Sequence, residues 1–320
     1  MDHRQCRFIW SAQLATVAMF RSHGGTRVAL AGGAGAGEAG AGEVRAGEVG
    51  EWPVSPAEID RMQQAAAAVL DCRRHFAARP GGLLGEIAAG EPGFTDWRHY
   101  PAGEVYDPQS HAQYFYHVHP AARRGAGEHG HFHAFLRADG IPPGARPLVL
   151  PETAIAADTA RPSPQAAPVK HGARDEVCHL LAITLDLTGT PIRLFTTNRW
   201  VTGETWYRAE DVVAMLDRFV FAEAGRSAVS RWIAAMVALF RPQIAALLRT
   251  RDETMMTWRR RRRGNVFEDP RIEIVSCTEI DIDRQLTALE HARSGPKREA
   301  GLHPPAPPWM SEGWGEGHAG

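Results

Sequence analysis

The chain has 320 residues, 44% of them hydrophobic, and a formal charge of −1 from 36 Lys plus Arg against 37 Asp plus Glu. That content supports a sizeable core, and the charge balance excludes a dedicated nucleic-acid binder, which carries a strong basic excess. Four scattered cysteines, Cys6, Cys72, Cys178 and Cys277, contain no CxxC pair, which excludes a disulfide framework and a thiolate zinc site and fits a reducing cytoplasm.

No run reaches the roughly 18–20 apolar residues of a membrane span, so no membrane partner is expected. Phe8 to Phe20 (FIWSAQLATVAMF) follows Arg4 and Arg7 as a signal-peptide core would, but Asp2, Gln13 and the lack of a small-x-small cleavage pattern point to a cytoplasmic protein. Residues 24–50 repeat Gly, Ala, Glu and Val without an aromatic or an amphipathic period, so 1–52 reads as a disordered, low-complexity N-terminus.

Folding is expected to begin at residue 53. Ser55-Pro-Ala-Glu58 is a helix-start signature, and Ile59, Met62, Ala66, Val69, Leu70 and Phe76 recur at helical spacing to about Ala78. Tyr100 to Asp107 enters a sheet. Strands are predicted over Gln113–His119 and His129–Arg137, and a Pro- and Ala-rich loop insertion over 140–176. A second hairpin joins His179–Asp186 to Ile192–Thr197. Tyr207–Phe221 reads as an amphipathic helix, and Ala228–Arg251 as a longer one that Pro242 should kink or split. Val266–Asp283 reads as a strand, with Ile272, Ile274, Ile280 and Ile282 on one face and Glu273, Glu279, Asp281 and Asp283 on a solvent-facing other. A last helical turn or two reaches about Ala292, and 292–320 reads as a disordered tail. The sum is a single α+β domain over 53–291, a mainly antiparallel sheet of hairpins with flanking helices.

The histidines carry the functional signal. Six of the fifteen fall between His111 and His133, at His111, His117, His119, His129, His131 and His133, and all are at odd positions. Alternate side chains of a strand share a face. A register with an even residue sum, such as His117 opposite His131 and His119 opposite His129, therefore gathers the odd residues of both strands into one imidazole patch. Two histidines of an HxH pair stand about 7 Å apart at the backbone on one face, and the neighbouring strand is about 5 Å away, so the rings can converge on one ion. His117, His119, His129, His131 and His133 are the candidate metal ligands, with Zn or Fe as the divalent metal. Glu128 is the candidate to move protons on a metal-activated water. Asn198 and Arg199, at a strand end, are the candidate substrate-binding pair, Arg199 holding a carboxylate or phosphate. A salt bridge is the competing use of Arg199, and a hydrogen-bonded His and Tyr core the competing use of the patch. His111 reads as structural, and His179 opens a third strand that leans toward the patch. The run Arg259–Arg263 reads as a solvated helix end.

At YDPQSHAQYFYHVH, EHGHFHAFLR, LFTTNRWVTGETWY, SRWIAAMVALFRPQI and NVFEDPRIEI the chain resembles a family of uncharacterised bacterial proteins known only as a domain of unknown function. The resemblance spans about 53–290. It implies one domain and supplies no activity. HxH on a strand is also similar to cupins, but the second cupin motif and its glycine spacing are absent. The expected function is a metal-dependent enzyme acting on a small anionic molecule. The alternatives are a non-catalytic metal- or ligand-binding sensor and a metal-free enzyme with a histidine general base.

Overall fold

Ser55 starts the first helix by the mechanism its sequence predicts. Its hydroxyl accepts the amide of Glu58 at 3.2 Å, and α1 (Pro56–Ala77) follows, burying Met62, Val69, Cys72 and Phe76. The computed structural model describes residues 42–43, 54–149, 176–222, 227–262 and 264–294. The expectations for 1–52 and 292–320 therefore fall almost wholly outside the described residues, as does 150–175 of the expected insertion.

A short α2 (Gly82–Ala88) leads to the strands. These are β1 (Gly42–Glu43), β2 (Tyr100–Tyr106), β3 (Ala112–His117), β4 (Glu128–Arg137), β5 (Pro147–Val149), β6 (Val177–Asp186), β7 (Pro191–Thr197), β8 (Trp206–Tyr207) and β9 (Ile274–Glu279). Seven form one sheet in the order β1-β9-β7-β6-β4-β3-β2, and β5 pairs with β8 separately. Every neighbour in the large sheet is antiparallel except β1 with β9. From β2 to β9 the strands of the large sheet lie in sequence order, with short connections at β2–β3, β3–β4 and β6–β7 and long ones at β4–β6 and β7–β9. With the helices α3 (Arg199–Thr202), α4 (Ala209–Met215), α5 (Ala228–Leu239), α6 (Arg241–Arg261) and α7 (Ile282–Ser294), the fold is α+β, as expected.

The two faces of the sheet have different chemistry. Tyr114, Tyr116, Phe132, Leu136, Leu181, Ile183 and Leu194 join α1, α5 and α6 in the main core. Tyr114 Oη meets Ser230 Oγ of α5 at 3.0 Å, and Phe132 packs on Trp232. The opposite face carries the histidines beside a small apolar cluster of Phe115, Phe135 and Val177.

Three expectations are corrected. The Tyr207–Phe221 helix is shorter: Tyr207 lies in β8, α4 ends at Met215, and a 3-10 turn (Leu216–Arg218) follows. The Val266–Asp283 strand is confined to β9, because Asp281 caps α7 by accepting the amide of Arg284 at 3.0 Å, which takes Ile282 and Asp283 into a helix. The 140–176 loop holds a strand, β5. The Pro242 expectation stands as a full break: α5 and α6 meet at Phe240 with a 72° bend, and Pro242 occupies the first turn of α6, where no amide is needed. Among the described residues no single helix is long and apolar enough to cross a membrane.

The break exposes backbone carbonyls that need partners. Gln285 Nε2, from α7, donates to the Leu239 carbonyl at 3.0 Å, and its Oε1 accepts from Gln243 Nε2 at 2.7 Å. Gln285→Leu removes both bonds from a buried position. It is expected to lower unfolding free energy by about 1–3 kcal/mol in urea titrations, and an unchanged midpoint would show that this link does not hold the helix junction.

Candidate metal centre

The histidine face follows from one register. Along β3 and β4 every residue pair sums alike, from Ala112 opposite Leu136 to His117 opposite His131. Tyr114, Tyr116, Phe132 and Ala134 therefore fill the helix side, and Phe115, His117, His131 and His133 point the other way. The His117–His131 pairing is the one the odd spacing anticipated.

The rings converge. His117 Nε2 lies 2.7 Å from His131 Nε2, and His119 Nε2 lies 3.3 Å from His117 Nε2. One nitrogen from each of His117, His131 and His133 falls within 4.8 Å of the others. Behind this group His133 Nδ1 meets His179 Nε2 of β6 at 3.0 Å, and His179 Nδ1 meets Thr197 Oγ1 of β7 at 3.3 Å. His133 and His179 are buried, whereas His117, His119 and His131 are half-buried, so the cluster closes at β6 and opens toward the loop after β3.

All five imidazoles are held neutral. Burial depresses His117, His131 and His133 well below the usual histidine range, and the neighbouring histidines push further down. Burial and then the Arg123 guanidinium bring His119 to about 4, with Asp96 partly opposing. Burial and then Arg251 bring His179 to about 3. Neutral imidazole is the form that ligates a metal. Zn–N bonds of about 2.0–2.1 Å set tetrahedral N···N edges of about 3.3 Å, so a metal would replace the hydrogen bond between His117 and His131 and part their nitrogens by about half an ångström. Thr184, directly across from His131 on β6, is 1% exposed, and its hydroxyl meets no hydrogen-bond partner among the described residues. An all-nitrogen donor set with an orphaned hydroxyl beside it fits a borderline transition metal with room for a further ligand.

Four predicted site residues are not brought to the cluster. His129 turns to the other face: β4 carries an extra residue opposite the Asp186–Leu185 step of β6, and that bulge sends His129 Nδ1 to Tyr116 Oη at 2.7 Å and its ring against Phe94. Glu128 is engaged by Arg193 and by the Gly125 amide. Asn198 caps α3, accepting the Arg199 amide at 2.8 Å and donating to the Val266 carbonyl at 2.9 Å. Arg199 is buried in an ion pair with Glu268, the competing use that its sequence left open.

Three neighbours of the cluster were invisible in the sequence. Trp97 lies against His119 with ring centroids 4.5 Å apart. His99 stacks on Phe115 at 3.7 Å, stands 5.7 Å from the His117 ring, and is held through Nδ1 by Glu104 Oε1 at 2.9 Å. Glu104 in turn accepts from Gln113. Trp97 and Glu104 both adopt positive φ, a strained conformation for a side-chain-bearing residue, and His99 lies between them. No spacing rule links 97–104 to the HxH pairs; the odd number of His99 matches theirs by chance.

The depressed histidines give an acid-stability signature. Above about pH 6.5 folded and unfolded chains both hold them neutral; below it the unfolded chain takes up protons that the folded chain refuses. Their contribution is whole above the ordinary value of 6.5 and is lost as pH falls toward about 4 for His119 and about 3 for His179. Urea unfolding across this range is expected to lose up to about 1.4 kcal/mol per pH unit for each such histidine. Stability that stays flat between about pH 7 and 5 would contradict the burial of this cluster.

No curated protein and no solved structure is matched by this chain. Residues 63–280, which include every histidine of the cluster and the strands that carry them, match one family model. By that match over most of its folded length, the chain belongs to the family described as a domain of unknown function, DUF6969.

Proposed function

We propose that the protein is a metal-dependent enzyme acting on a small anionic molecule, with Zn or Fe held by His117, His131 and His133 and with His119 at the open edge of the site. The observation that carries this reading is the convergence of three neutral imidazoles, with the Nε2 atoms of His117 and His131 2.7 Å apart. Among the described residues no carboxylate or thiolate joins the three to close the set, which leaves positions for water and substrate. Bound there, the metal would supply Lewis acidity and lower the pKa of a coordinated water.

The chain's own groups divide the remaining work. Arg123 and Arg124 both bear electrostatically on His119, so an approaching anion meets positive charge at the open edge. This assignment replaces Arg199, whose charge is consumed by Glu268. His99, fixed by Glu104, is the group placed to hold or move a proton near the cluster, in place of Glu128. Trp97 would shield the half-buried rings from bulk water.

Protein purified without a histidine tag and without chelators is expected to carry close to one equivalent of a transition metal, and His131→Ala to lose it while remaining folded. Recovery of less than about 0.2 equivalents, unimproved by incubation with Zn2+, would overturn the metal reading. Activity that survives metal removal but is lost in His99→Ala would instead favour metal-free general-base chemistry.

A further inference from the structure

The buried end of the cluster is a hydrogen-bonded chain of His133, His179 and Thr197. His179 uses both ring nitrogens internally: Nε2 faces His133 Nδ1 at 3.0 Å and Nδ1 faces Thr197 Oγ1 at 3.3 Å. Its backbone amide donates to Glu204 Oε2 at 2.9 Å, which fixes the strand segment from which the ring projects. His133, His179 and Thr197 are each at most 3% exposed, so water does not compete for these bonds.

Two polarities of this chain are possible, because neutral imidazole has one donor and one acceptor nitrogen. In the first, Thr197 donates to His179 Nδ1, His179 Nε2–H donates to His133 Nδ1, and the His133 proton is left on Nε2, where it blocks ligation. In the second, His133 Nδ1–H donates to His179 Nε2, His179 Nδ1–H donates to Thr197 Oγ1, and His133 Nε2 presents a lone pair to the cluster. Only the second is compatible with a metal on His133 Nε2. We infer that His179 and Thr197 are positioning residues that fix the tautomer and ring orientation of His133 for metal binding, and that His179 is not itself a ligand. The inference rests on the metal reading above and adds to it which of the five histidines holds another in place. Partners of this kind typically contribute 10–100-fold to metal affinity.

The test uses Co2+ and Zn2+ on the full chain, with affinity read by competition against a chromogenic chelator and geometry by the visible spectrum of bound Co2+. His179→Phe keeps the volume but removes the acceptor, and is expected to weaken Zn2+ binding about 10–100-fold and to alter the Co2+ bands. His179→Gln keeps an acceptor near the Nε2 position and is expected to recover most of that loss. Thr197→Val is expected to weaken binding, and Thr197→Ser to restore it. Equal loss in His179→Gln and His179→Phe would make His179 a ligand and overturn the inference. Wild-type affinity and spectrum in both His179→Phe and Thr197→Val would overturn it as well. Should His179→Phe not fold, the Thr197→Val and Thr197→Ser comparison decides alone. A wild-type chain that binds neither ion removes the metal reading itself, a different outcome from variants that bind as the wild type does.

Discussion

The backbone pairing of β3 with β4 is the constraint on which the rest depends. A one-residue slip would send every side chain of the slipped strand to the other face. His117 and His131 would then part to opposite faces, one of them in the helix core, and Tyr116 or Phe132 would leave that core. The helix side of the sheet prevents this. Tyr114, Tyr116, Phe132 and Leu136 are buried in one core with residues of α1 and α5, and burying side chains of that size contributes about 1.5–3 kcal/mol apiece. The aromatic core therefore holds the histidine register, although the two sets of side chains lie on opposite faces.

That arrangement explains how so many imidazoles are gathered in one place. Burying a polar ring is costly unless its donor and acceptor are both met. Here the rings satisfy one another, His117 with His131 and His133 with His179, and Thr197 ends the second chain. A cluster built this way remains neutral, because charging any ring would set it against its neighbours in a poorly solvated face. Neutral imidazole is the form that ligates a metal, and three of these rings converge closely enough that they could hold an ion. The exposure gradient gives the cluster a direction: a buried end at His133 and His179, and a half-buried end where His119 lies against Trp97 and Arg123 stands over the Trp97 ring.

Much of this was legible in local pattern. Parity alone placed His117, His131 and His133 on one face, since parity survives wherever a strand is regular. It failed at His129 because of a bulge, and Gly130 was the available signal: a Cβ there would sit 2.4 Å from the His117 carbonyl, so the strand needs glycine at that point. Val118 enters the core just after β3 ends, which leaves His119 in the loop and outside the ladder, yet with its ring still against His117. Long-range pairing was not legible. Arg199 looked available because Glu268 stands 69 residues away in sequence, and His99 went unremarked because the rings that tie it to the cluster, Phe115 and His117, lie on β3. The boundary between β9 and α7 was misread because alternating Ile and acidic residues mimic a strand, whereas Asp281 also fits a helix cap. A cap signature competes with period-two alternation, and here the cap prevailed.

The central claim is that this histidine face is a metal centre, and X-ray absorption at the K-edge of Zn loaded into the full-length chain tests it most directly. The account predicts three or four nitrogen scatterers at about 2.0–2.1 Å with the multiple scattering of imidazole, reduced in number in His131→Ala. A shell of sulfur at about 2.3 Å, or a spectrum unchanged in His131→Ala, would contradict it.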